Sequence, residues 1–129
     1  MQGTIYRNWL FATLAVSALT PIGHTQTTEQ RIVRIAELEI DPNQLMAYKE
    51  ALKEEIEASI QLEPGVSALY ALSVKDHANQ IPIFECYSDQ SAYESHLQTA
   101  HFLKYTSATQ IMVKSLKLIQ TDLILLGSK

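Results

Sequence analysis

The chain has 129 residues, 47% hydrophobic and 19% charged, with a net charge of -4. That balance belongs to a globular domain with one modest core. No basic patch forms, so nucleic acid is excluded as an electrostatic partner. The single cysteine, Cys86, excludes an intrachain disulfide.

The N-terminus reads apart from the rest. Trp9 to Leu19 (WLFATLAVSAL) is uncharged and apolar and follows Arg7. A membrane-spanning helix needs about 20 such residues, so this run is too short. It suits the apolar region of a secretory signal peptide. Pro21 breaks it, and Gly23 to Thr28 is small and polar. Residues 1–26 are expected to be a signal peptide and 27–129 an exported domain, periplasmic or secreted. No stable membrane association is expected after cleavage.

In Arg31 to Ile40 (RIVRIAELEI) apolar residues fall on both parities, as in a strand covered on both faces. Asp41-Pro42-Asn43-Gln44 is a helix start: Asp41 caps, Pro42 suits the first position, and Gln44 reaches back. Leu45, Tyr48, Leu52, Ile56 and Ile60 then recur at helical spacing, with Lys49, Glu50, Lys53, Glu54 and Glu57 outside. Pro64 ends this helix, and Gly65 permits a positive φ. Val66 to Val74 alternates, Asp76 to Gln80 is a polar turn, and Ile81 to Tyr87 completes a hairpin. Ser88 or Asp89 caps a short helix through Gln98. Thr99 restarts a helix to about Val113, with Phe102, Tyr105 and Thr109 inward. Ser115 to Leu126 is the last strand.

The order β-α-β-β-α-β is the α+β, ferredoxin-like split β-α-β. Helices cover one face of its sheet. Tyr70, Leu72, Ile83, Leu116 and Leu118 need cover, and a second copy of the chain supplies it, sheet against sheet. A homodimer, a dimeric α+β barrel, is expected.

No Gly-rich phosphate loop, C-x2-C pair or H-E-x-x-H occurs. Glu63-Pro64-Gly65, the run from Glu85 to His96, and His101-Phe102 together resemble the antibiotic biosynthesis monooxygenase family. The resemblance covers about Arg31 to Leu126. It implies a dimeric α+β barrel and oxygenation without flavin, metal or haem as cofactor. It also implies a quinol or polyphenol-like aromatic substrate that loses a proton and passes an electron to O2. Tyr87 stands where many relatives have Trp, and the first strand has no Asn, which disfavours the haem-degrading branch. A non-catalytic ligand-binding or stress-response module of the same fold is the competing reading.

His96 and His101 are the candidate bases or hydrogen-bond donors at neutral pH. Five residues apart, they converge only if the chain bends near Thr99-Ala100. As a zinc pair they lack a third ligand with an obvious source. Glu85 is a candidate proton acceptor if it points inward; otherwise it faces the partner and pairs with Lys, Arg or a backbone donor across the dimer. Glu37 and Glu39 share that ambiguity. Tyr70, Tyr87, Tyr93 and Phe102 are the candidate substrate-lining rings, with core packing as the alternative for each. Cys86 reads as buried and inert.

Overall fold

The computed structural model describes residues 31–129; the signal-peptide expectation lies outside them. Strand β1 (Ile32–Ile40) leads through a 3-10 turn at Pro42–Gln44 into helix α1 (Leu45–Leu62). Strands β2 (Val66–Ala71) and β3 (Gln80–Tyr87) form the hairpin. Helices α2 (Gln90–His96) and α3 (Ala100–Thr109) follow, then strand β4 (Val113–Gln120). The sheet order is β2-β3-β1-β4, and every neighbouring pair is antiparallel. This is the split β-α-β read from the sequence.

Alternation along the central strands sorts residues to two faces. Ala36, Leu38 and Ile40 of β1 and Ile81, Ile83 and Tyr87 of β3 are buried beneath the helices. The opposite face carries Ile35 and Glu37 beside Phe84 and Pro82, with Tyr70 next to Phe84. Tyr70 and Leu72 stay exposed there, whereas Ile83, Leu116 and Leu118 belong to or pack against the helix-side core. The residues needing cover on the open face are therefore Tyr70, Leu72, Phe84 and Ile35 rather than the whole set expected. Ile83 and Leu118 lie beside the buried Ala36, and Leu116 beside the buried Leu38, which sets their face; separately, β2 has a register shift between Val66 and Ala68. Val66 lies beside Tyr87 and is buried, while Ala68 lies beside Cys86, so the alternation breaks at its start.

Other boundaries move for similar reasons. Asp41 caps the 3-10 turn by accepting from Asn43 N, at 2.9 Å. Helix α3 stops at Thr109 because Val113 already pairs with Ile40 of β1. Strand β4 ends at Gln120, opposite Arg34, and not at Leu126: Thr121 Oγ1 donates to Val33 O and β1 is exhausted. Gly65 has no positive φ. Its lack of a side chain serves close approach, since a Cβ there would lie 2.4 Å from Ala92 Cβ on α2. Helices α1 and α3 meet through a 2.7 Å hydrogen bond between the hydroxyls of Tyr48 and Tyr105. Among the described residues no helix is long and apolar enough to cross a membrane.

Candidate active site

The buried face of α1 changes character along its length. Tyr48, Leu52, Glu55 and Ser59 are its buried residues, at spacings of four, three and four. The face thus begins apolar and ends polar. Ile56 packs only at the edge of the core, and Ile60 is about half exposed. Just past the helix, Glu63 takes an extended conformation before Pro64. The polar end of α1 and the Glu63 corner therefore point the same way.

Two short helices bring the histidines to this corner. Asp89 starts α2 by accepting from Ala92 N at 2.7 Å. His96 closes α2, and Thr99 then caps α3, accepting from Phe102 N and donating to His96 O. This break lets residues five apart converge: the rings of His96 and His101 lie 6.5 Å apart, centre to centre. His96 Nδ1 is 3.0 Å from Glu63 Oε2, and His101 Nε2 is 2.6 Å from the same oxygen. On its other side His96 Nε2 is 3.7 Å from Glu55 Oε1, which accepts from Ser59 Oγ at 2.7 Å. The result is a chain of groups, His101–Glu63–His96–Glu55. It runs from a partly exposed histidine into the core, where His96 and Glu55 are nearly inaccessible.

The aromatic residues close the inner end. The His96 ring lies 4.8 Å from that of Phe102 and 5.4 Å from that of Tyr87. Tyr87 meets Tyr93 edge-on at 5.3 Å, and its hydroxyl donates to Glu85 Oε2 at 3.1 Å. Glu85 points to the helix side of the sheet and is buried. Directly across the β1–β3 ladder stands Arg34, also buried, its guanidinium 4.3 Å from the centre of the Tyr93 ring. Tyr70 is the exception among the candidate rings. It lies on the far face of the sheet beside Phe84 and does not share this site. Glu37 and Glu39 are exposed and play no part in it, and Cys86 is half-buried rather than enclosed.

Electrostatics divide the carboxyl groups by task. Burial pushes Glu85 above the ordinary glutamate range, against the opposing pull of His96, Tyr87 and Arg34. Glu55 is likewise raised by burial, despite the Ser59 hydrogen bond. Glu63 is partly buried, which would raise it, but the hydrogen bonds from His101 and His96 prevail and lower it. Burial, reinforced by the charge and hydrogen bond of Glu85, holds the Tyr87 hydroxyl well above 10.0. An ionised Glu63 can only accept, so His96 Nδ1 and His101 Nε2 both carry protons toward it. A neutral His96 then turns the lone pair of Nε2 to the interior. That is the arrangement of a general base oriented by a carboxylate.

Glu55, His96 and His101 each place a possible ligand atom within 4.8 Å of the others, so they could also hold a metal ion. The third donor that the sequence left unsourced is Glu55. Sequence reasoning missed Glu55, Ser59 and Arg34 as site residues and read Glu63 only as a helix end. The Tyr48-Leu52-Glu55-Ser59 spacing was the available signal: it draws a helix face whose second half is polar.

Comparison with known proteins fits this frame. The antibiotic biosynthesis monooxygenase family model matches residues 31–108. A candidate antibiotic biosynthesis monooxygenase from Bacteroides thetaiotaomicron is 45% identical, with a TM-score of 0.75 over 79% of this chain and 97% of its own. A candidate monooxygenase from Lactobacillus acidophilus is 26% identical, with a TM-score of 0.71 over 74% of this chain and 45% of its own. A candidate antibiotic biosynthesis monooxygenase from Nitrosomonas europaea shares the fold at 22% identity, with a TM-score of 0.70 over 78% of this chain and 96% of its own. No curated protein matches. With its family model spanning β1 to α3, the chain belongs to the antibiotic biosynthesis monooxygenase family.

Proposed function

We propose that the protein is a cofactor-independent monooxygenase acting on a quinol or polyphenol-like aromatic. The observation that carries this reading is the His101–Glu63–His96 hydrogen-bonded chain, which delivers a carboxylate-oriented imidazole to an aromatic-lined interior. His96 Nε2 takes the proton from a phenolic hydroxyl, and Glu63 stabilises the imidazolium that forms. The phenolate then passes one electron to O2, and the two radicals combine to make a C–O bond. The resulting peroxide takes up a proton and loses its O–O bond as water departs. For a quinol the balance is quinol plus O2 giving hydroxyquinone plus water. Every electron comes from the substrate, which suits an exported protein with no supply of soluble reductant. His101, the more exposed histidine, returns protons to solvent.

We also propose export through the signal peptide of residues 1–26. A homodimer would form through the open sheet face, where Tyr70, Leu72 and Phe84 are exposed. Turnover of quinols under 18O2 tests the reaction. One 18O atom should enter the product, and the second should leave as water. Product carrying no 18O would rule out oxygenation.

A further inference from the structure

Arg34 is a buried cation of the site that the proton chain does not use. Its side chain is 5% exposed and stands on the helix side of β1, opposite Glu85 on β3 and Gln120 on β4. Its guanidinium carbon lies over the Tyr93 ring, 4.3 Å from the ring centre. Among the described residues no side chain makes a hydrogen bond or close ion pair with it, although Glu85 shares its field across the ladder. Taking a guanidinium out of water is costly, and buried cations are normally paired and hydrogen-bonded. The contact with the Tyr93 ring answers only part of that need, because a ring face accepts no full hydrogen bond from the five N–H donors of the group.

Arg34 lines a cavity of about 390 Å³ with Ile32, Gln90, Gln120, Thr121 and Asp122. It lies at the edge where α2 begins and β4 ends. The fixed, planar fork of a guanidinium matches the two oxygens of a carboxylate or of a phosphate ester. Asp122 also lines the cavity and disfavours a small free anion, which would have little apolar contact to offset that repulsion.

We infer that Arg34 is an oxyanion-binding residue: it holds a carboxylate or phosphate carried on an aromatic ring that enters through this cavity. This rests on the reading above for the rest of the substrate, whereas binding of the oxyanion does not require turnover. The substrate class narrows accordingly, from neutral quinols to ring compounds bearing an acidic group.

Calorimetric titration of the protein with benzoate, phenyl phosphate and hydroquinone separates the cases. One or both anionic rings should bind about tenfold more tightly than hydroquinone. Arg34→Gln should abolish the preference and Arg34→Lys should keep part of it. The benzoate and phenyl phosphate arms distinguish a carboxylate site from a phosphate site. In parallel, the Arg34 Nε–H resonance of the unmutated protein should shift on addition of the tighter ligand, which keeps the test informative if the variants fold poorly. Equal binding of all three compounds, or a folded Arg34→Gln variant that retains the preference, would overturn the assignment. Anion binding without O2 uptake would leave this inference standing and remove the oxygenase reading instead.

Discussion

At the scale of the residue, Glu63 joins the two histidines. Its carboxylate accepts from both rings, so Glu63→Gln should leave both histidines in place but without their counter-charge. Turnover should fall by about 10²- to 10⁴-fold, the usual worth of general acid–base catalysis. Steady-state O2 uptake checks this; unchanged activity would release Glu63 from the role. Glu85 behaves in the opposite sense. Its folded-state affinity for a proton is raised above the ordinary value of 4.5, so the folded chain holds more protons than the unfolded one. Its contribution therefore favours the fold below about pH 4.5 and is lost as pH rises toward the folded-state pKa. Glu85→Gln should raise the melting temperature at pH 7 and shift it little at pH 4. A variant less stable than the parent at pH 7 would show that the ionised carboxylate is what the fold requires. The site residues were legible in the sequence where chemistry and motif coincided, as at His96, His101, Glu85, Tyr87, Tyr93 and Phe102. Arg34 and Glu55 were not, because a charged residue on a strand or helix looks solvated until the partner face is known.

At the scale of the element, the α2–α3 break sets the geometry. Thr99 caps α3 and ties His96 O, so it fixes the angle that brings His101 back onto Glu63. Thr99→Ala should cost about 1 kcal/mol of stability, the value of a helix cap, and should weaken activity more than that loss of fold explains. Urea denaturation paired with activity measurements separates the two effects. Gly65→Ala should destabilise by about 1–3 kcal/mol, as overpacking does, because the added methyl would meet Ala92 at 2.4 Å. A neutral result in urea would mean that α2 shifts freely. Strand and helix existence followed from local periodicity and caps, so these elements were readable in order. Their ends were not. Thr109, Gln120 and the Val66–Ala68 shift are decided by pairing with β1 and β3, which a local pattern does not contain.

For the whole molecule, the sheet has one face under helices and one open. Tyr70 and Phe84 are neighbours on adjacent strands of the open face, with Leu72 beyond them. A large exposed apolar patch on a strand face calls for a partner. The second copy argued from the sequence remains the partner proposed here, although the residues assigned to the interface have changed. Joint replacement Tyr70→Glu and Phe84→Glu places acids where two sheets would meet. Light scattering should then report a monomer where the parent gives a dimer; an unchanged mass would move the interface elsewhere. The helix-side site lies across the sheet from this face, so a dimer formed there would leave the proton chain within one subunit.

In the proposed reaction a Glu63-oriented histidine pair drives oxygenation with electrons from the substrate. O2 uptake by the purified protein, with a panel of neutral and acidic quinols and no added reductant, tests it most directly, set against a His96→Ala/His101→Ala double variant. The account predicts substrate-dependent uptake that the double variant loses while keeping its fold. Equal uptake by parent and variant, or none by the parent with any quinol, would contradict it.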